Sequence, residues 1–98
     1  MAVHHDPAAH RFTTSVDGHE AGLDYQLQDG RMVITHTDVP RSIEGRGVAS
    51  QLTRAAFEHA REQGWNVRPA CAYAAAWAER HPEVKARRGS TLSAKTAR

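Results

Sequence analysis

A chain of 98 residues with one cysteine has room for a single domain around a modest core and cannot close an internal disulfide. Its formal charge of +2 is unevenly spread: residues 1–83 carry 8 Lys/Arg against 11 Asp/Glu, whereas residues 84–98 carry 5 Lys/Arg and no acid. No apolar run approaches the length needed to span a bilayer, and Met1 to His10 has no cationic stretch followed by an apolar one, so a soluble, cytoplasmic protein is expected.

Residues 1–9 read as a flexible N-terminus, with ordered structure expected from His10 onward. Arg11 to Val16 alternates weakly and runs into Asp17-Gly18, a hairpin signal. Glu20 to Gln28 then places Ala21, Leu23, Tyr25 and Leu27 at period two, the pattern of a half-buried strand. Asp29-Gly30 marks a second tight turn, and Arg31 to Val39 continues as a third strand of an antiparallel meander.

Residues Val48 to Gln63 predict a helix, because Ala49, Leu52, Ala56 and Ala60 recur at helical spacing and Gly64 supplies a stop. Trp65 to Cys71 reads as a fourth strand. A strand–helix–strand connection within one sheet favours its parallel pairing with Arg31 to Val39. Tyr73 to Arg80 predicts a short second helix, ending before His81-Pro82 because proline restricts the residue before it. The expected fold class is α+β, a mixed sheet in the order β-β-β-α-β-α with helices packed on it, formed by residues 10–83. Residues 84–98 form a basic tail with too little apolar surface to offset ordering entropy, and disorder is expected there.

The stretch Val39-Pro40-Arg41-Ser42-Ile43-Glu44-Gly45-Arg46-Gly47-Val48-Ala49 carries the most chemistry, since two glycines flank an arginine where a strand hands over to a helix. The first N–H groups of a helix lack intrahelical partners and sit at the positive end of its dipole, and glycines let a phosphate approach the backbone. Gly-x-Gly also serves turns that need positive φ, so the pair has a purely structural reading as well. A Walker A loop is excluded, because no Gly-Lys-Ser/Thr follows, and Ser50 stands where a dinucleotide fingerprint needs its third glycine.

Four separated segments carry a family resemblance: His36-Thr37-Asp38-Val39-Pro40, Glu44-Gly45-Arg46-Gly47-Val48-Ala49, Val67-x-Pro69-x-Cys71-x-Tyr73 and His81-Pro82-Glu83. Together they resemble a small single-domain, YjdJ-type branch of the GNAT superfamily of acyl-CoA-dependent N-acetyltransferases. The resemblance implies acetyl-CoA or coenzyme A as cofactor, with its pyrophosphate on backbone amides of the segment Gly45, Arg46, Gly47, Val48 and Ala49. Val39 and Glu44 flank that segment, and Glu44 stands where the superfamily usually has Gln or Arg. The fold also implies two parallel strands that diverge, leaving His36 to Val39 on one side and Val67 to Cys71 on the other to receive the pantetheine arm. The expected reaction is transfer of an acetyl group to a primary amine, on a small molecule or a protein lysine. A non-catalytic acyl-CoA-binding or protein-interaction module is the alternative.

Three side chains are candidates for catalysis. An unperturbed imidazole titrates near neutral pH, and His36 would meet the thioester from a slot-facing strand position, or it packs beside the parallel pair with its ring hydrogen-bonded. Cys71 could accept the acetyl group covalently, or fill space at the end of the fourth strand. Tyr73 could protonate the departing thiolate, as tyrosines do in the wider superfamily, or anchor the second helix. Asp38 ranks below His36, since it would need burial to raise its pKa.

Seven histidines without an i,i+4 pair, accompanied by one cysteine, do not make a metal site, and no metal is expected. The basic tail could touch nucleic acid, but a solvated terminus explains the same charges. A monomer or weak dimer is expected.

Overall fold

The computed structural model describes residues 2–82 and 84. Four antiparallel-linked strands come first: β1 (His4–Asp6), β2 (Arg11–Val16), β3 (His19–Gln28) and β4 (Arg31–Asp38). A 3-10 turn at Arg41–Ile43 leads into α1 (Val48–Gln63), followed by β5 (Asn66–Pro69) and α2 (Ala72–Arg80). The sheet has five strands in the order β1-β2-β3-β4-β5, all neighbours antiparallel except β4 and β5.

The α+β class and the mixed sheet agree with expectation, but the order β-β-β-α-β-α needs one correction. The segment read as a flexible end contains β1, whose His5 lies opposite Phe12 in register. Hydrophobic patterning could not find it, because its anchor is a polar ring: His5 stacks on Phe12 with centroids 4.2 Å apart and meets the Tyr25 hydroxyl at 2.5 Å. The tail expectation lies outside the described residues except for Val84, which is buried in the core.

Local rules explain the elements. Asp17-Gly18 and Asp29-Gly30 both take left-handed φ at their two residues, the backbone that a two-residue hairpin between right-twisted strands requires. The helix α1 ends at Gly64 in the left-handed conformation, where the N–H groups of Gly64 and Trp65 bond the carbonyls of Arg61 and Ala60.

One core joins both helices to the inward side chains of the sheet. Phe12, Leu23, Met32 and Ile34 from the strands pack with Leu52, Ala56, Phe57 and Ala60 of α1 and Ala74 and Trp77 of α2. Burying a leucine such as Leu52, which is fully enclosed, is worth about 1.5–3 kcal/mol. The opposite face of the sheet carries Arg11, Thr13, Ser15, Asp24 and Gln26, with no helix over it among the described residues. Polar residues at these alternate positions suit a face that meets water. None of the described helices is long and apolar enough to cross a membrane.

Candidate functional site

The site begins with an interruption in β4. Asp24 pairs with His36 while the next residue of β3, Tyr25, pairs with Ile34, so Thr35 is an extra residue in β4. Such a bulge reverses which positions face which side of a sheet. Met32 and Ile34 point into the core before it, and Thr37, opposite buried Leu23, takes the inward position after it. His36 therefore lies on the outer face opposite Asp24 and is exposed, which corrects the expectation that it faces the slot.

The same region is where the parallel pair ends. The register of β4 with β5 stops at Ile34 and Pro69, although β4 itself continues to Asp38. The Ile34 carbonyl takes the last cross-strand bonds, from the N–H groups of Ala70 and Cys71, both at 3.0 Å. Beyond that point the β5-facing backbone of Thr35 to Asp38 has no strand beside it among the described residues. Unpaired strand groups are ready to bond an extended ligand.

A cleft of about 600 Å³ opens there, bounded by Thr37, Asp38 and Val39 on one side and Tyr73 on the other. Its remaining wall is the loop and first turn of α1: Ile43, Glu44, Gly45, Gly47, Val48, Ala49 and Ser50. Gly47 caps α1 with φ 75°, a left-handed backbone that also occurs at Gly45. A methyl group built on either glycine would meet nothing within 4 Å, so open space lies beside both. The N-cap has no side chain to bond the first amides, and the first turn holds no acid. The N–H groups of Val48, Ala49 and Ser50 precede the first helical bond, from Gln51 to Gly47, and belong to residues that line the cleft at the positive end of the helix dipole.

Of the residues anticipated as binding cofactor, Val39, Glu44, Gly45, Gly47, Val48 and Ala49 line this cleft. Arg46 does not: its guanidinium pairs with Asp17 in the β2–β3 turn, away from the cleft lining that holds Glu44. Val67 also sits elsewhere, in a small pocket with Phe57 and Pro69.

Tyr73 reaches the cleft from the first turn of α2. Burial pushes its phenol pKa above the usual value, Arg80 opposes that shift, Cys71 adds to it, and a side-chain hydrogen bond with Ser50 pulls it back. Beyond ruling out a dinucleotide fingerprint, Ser50 carries no functional signal in the sequence, because a serine in the first turn of a helix has an ordinary local role. In the fold it accepts a 2.8 Å hydrogen bond from the indole Nε1 of fully buried Trp77. Cys71 is half-buried at the start of α2, packs against the core and stands outside the cleft wall.

On the outer face, Arg11 lies over Gly22, where an added Cβ would come within 2.1 Å of its guanidinium. It pairs with Asp24 at 2.6 Å and reaches Asp38 at 3.4 Å. Asp38 thus links the ion-pair network to the mouth of the cleft.

The cleft fits a phosphate-bearing, extended ligand in two respects: free helix amides beside open glycines, and an unpaired strand edge leading away from them. A profile of the GCN5-related N-acetyl-transferase family matches residues 11–87. The chain is 32% identical over 85 residues to Protein NATD1 of Gallus gallus, covering 84% of this chain and 77% of that relative. The same identity holds for Protein NATD1 of Bos taurus and of Homo sapiens, with 75% of each relative covered. The chain belongs to the GCN5-related N-acetyltransferase family.

Proposed function

We propose that this protein is an acetyl-CoA-dependent N-acetyltransferase that acts on a primary amine. The observation that carries the reading is the continuity of three features in one cleft: the uncapped start of α1, the unpaired end of β4 and the Tyr73 phenol. In this reading the amides of Gly45 to Ala49 hold the pyrophosphate, and the backbone of Thr37 to Val39 holds the pantetheine amides.

When bound, acetyl-CoA supplies a thioester whose C–S bond breaks as the amine nitrogen forms its C–N bond. Tyr73 holds the proton that the sulfur takes with its electron pair. Water at the open mouth takes the proton lost by the nitrogen and reprotonates Tyr73. A tyrosine phenol is protonated at neutral pH, as an acid requires, and burial shifts the Tyr73 pKa further up. His36 has no part in this step, since it lies on the outer face, and Cys71 serves packing in place of acyl transfer.

The acceptor is an accessible amine, a small molecule or an exposed protein lysine, because among the described residues one sheet face carries no helical cover that would enclose it. The reading implies a compartment that contains acetyl-CoA and keeps Cys71 reduced, the cytoplasm. Thiol release from acetyl-CoA by the purified chain, measured against a panel of amines with product masses, tests the proposal. Amine-dependent thiol release that is lost in Tyr73→Phe supports it; no acetylated product from any amine overturns it.

A second reading, an acyl-CoA-binding module without turnover, is favoured by one observation. Among the described residues, Asp38 and Glu44 are the charged side chains on the cleft wall, and neither attracts a phosphate. Coenzyme A binding without any product would select it.

A further inference from the structure

Trp77 is fully buried, and its indole N–H can only donate. It donates to Ser50 Oγ at 2.8 Å, which fixes Ser50 as an acceptor on that side. The Ser50 hydrogen is then free for a different partner, and Tyr73, one turn before Trp77 on α2, lines the same cleft as Ser50, which acts to lower its phenol pKa. Trp77 is itself held firmly: His81 stacks on it with centroids 4.0 Å apart, the His81 Nδ1 meets the Trp77 carbonyl at 2.8 Å, and Phe57 packs at 5.3 Å.

We propose that Trp77 and Ser50 form a one-way hydrogen-bond relay that positions Tyr73, with Ser50 donating to the phenol oxygen so that the phenol proton points into the cleft. The inference rests on the acetyltransferase reading for its role in turnover, but the relay itself is a property of the resting protein. Ser50 is a positioning residue, acting through Tyr73.

Direction decides the chemistry. A phenol that accepts from Ser50 keeps its own O–H for the sulfur, and the phenolate left after proton transfer retains a donor aimed at it. If Ser50 only satisfied the buried indole, its removal would lower stability and leave the phenol unchanged. The other groups acting on Tyr73 are Arg80 on its own helix and Cys71 at the helix start, with Asp38 and Glu44 on the facing wall of the cleft. None of them is altered by substituting Ser50.

The chain has two tyrosines, so ring-carbon NMR of tyrosine-labelled protein follows both titrations, with Tyr73→Phe making the assignment. The relay predicts that Ser50→Ala raises the Tyr73 midpoint and leaves Tyr25 unmoved, and that Ser50→Thr, which keeps the hydroxyl, restores it. Under turnover, Ser50→Ala should lower kcat about fivefold to tenfold, the loss of one hydrogen bond to a developing charge. KM for acetyl-CoA should stay within about twofold, as the bond is made in the transition state. The alkaline limb of the kcat profile should move up with the phenol midpoint. Trp77→Phe, which keeps a ring against Phe57 and His81, should shift the midpoint in the same direction. An unchanged Tyr73 midpoint in folded Ser50→Ala overturns the relay, whatever the activity. A shifted midpoint in a protein without turnover upholds the relay and counts against the acetyltransferase reading alone.

Discussion

Cys71 Sγ stands 3.7 Å from Thr37 Oγ1, at the fork where β4 and β5 part. The Cys71 N–H has already bonded the Ile34 carbonyl, so the thiol forms a further tie beyond the end of the parallel register. This makes Cys71 a clasp at the fork of the two strands, with its sulfur engaged by a hydroxyl on β4. Cys71→Ala should lower stability by about 1 kcal/mol, from a lost weak hydrogen bond and a trimmed contact. Urea denaturation measures that loss. Incubation with acetyl-CoA followed by intact mass measurement should show no hydroxylamine-labile acetyl group on the wild-type chain; a labile adduct absent from Cys71→Ala would restore a covalent role.

Gly47 allows a paired comparison. Gly47 and Gly18 share left-handed φ near 75° and 77°, and an added methyl meets nothing within 4 Å at either. Alanine at either position should cost about 1–2 kcal/mol of backbone strain. Only Gly47→Ala should also weaken coenzyme A binding several-fold, because only Gly47 sets the direction of the α1 amides. Melting curves and calorimetric titrations of the two variants check both halves.

Glu44 lies on the cleft wall at the mouth of the glycine loop and carries a charge of the wrong sign for a diphosphate. At low salt, Glu44→Gln should tighten coenzyme A by about fivefold, the effect of removing one solvated repulsion of roughly 1 kcal/mol. The gain should shrink as ionic strength rises. Calorimetry at two salt concentrations measures it.

The N-terminal strand makes stability depend on pH. Burial lowers the His5 pKa below 6.5, His59 and His10 lower it further, and Asp6 opposes them. His5 and His59 have ring centroids 4.4 Å apart, so a second positive charge has little room. The neutral form is favoured in the folded state, and the unfolded chain takes up the proton first. Stability is therefore full above about pH 6.5 and falls as pH drops from there through the lowered folded value. His5→Phe, which retains a ring over Phe12, should flatten that slope in melting curves recorded between pH 7.5 and pH 5.

Helix α1 was readable to the residue, because Leu52, Ala56 and Ala60 keep helical spacing and Gly64 closes the last turn. The Asp-Gly turns were equally plain, since their conformation belongs to two adjacent residues. Position 36 was not legible. The bulge at Thr35 depends on how β4 pairs with β3, and it moves Thr37 to the place that strict alternation gives to His36. Likewise, β1 depends on His5 meeting Phe12, Tyr25 and His59, three partners remote in the chain. Arg46 and Ser50 show the same limit within the glycine segment: Asp17 turns one away from the cleft, and Trp77 gives the other a task.

The central claim is that the start of α1 and the unpaired end of β4 together receive coenzyme A. Backbone amide NMR during a titration with coenzyme A tests it most directly. The account predicts saturable shifts concentrated at Gly45 to Ser50 and at Thr37 to Val39, with His36 and Arg46 side-chain variants retaining the same affinity. No saturable shift at millimolar coenzyme A, or shifts confined to residues remote from both segments, would contradict it.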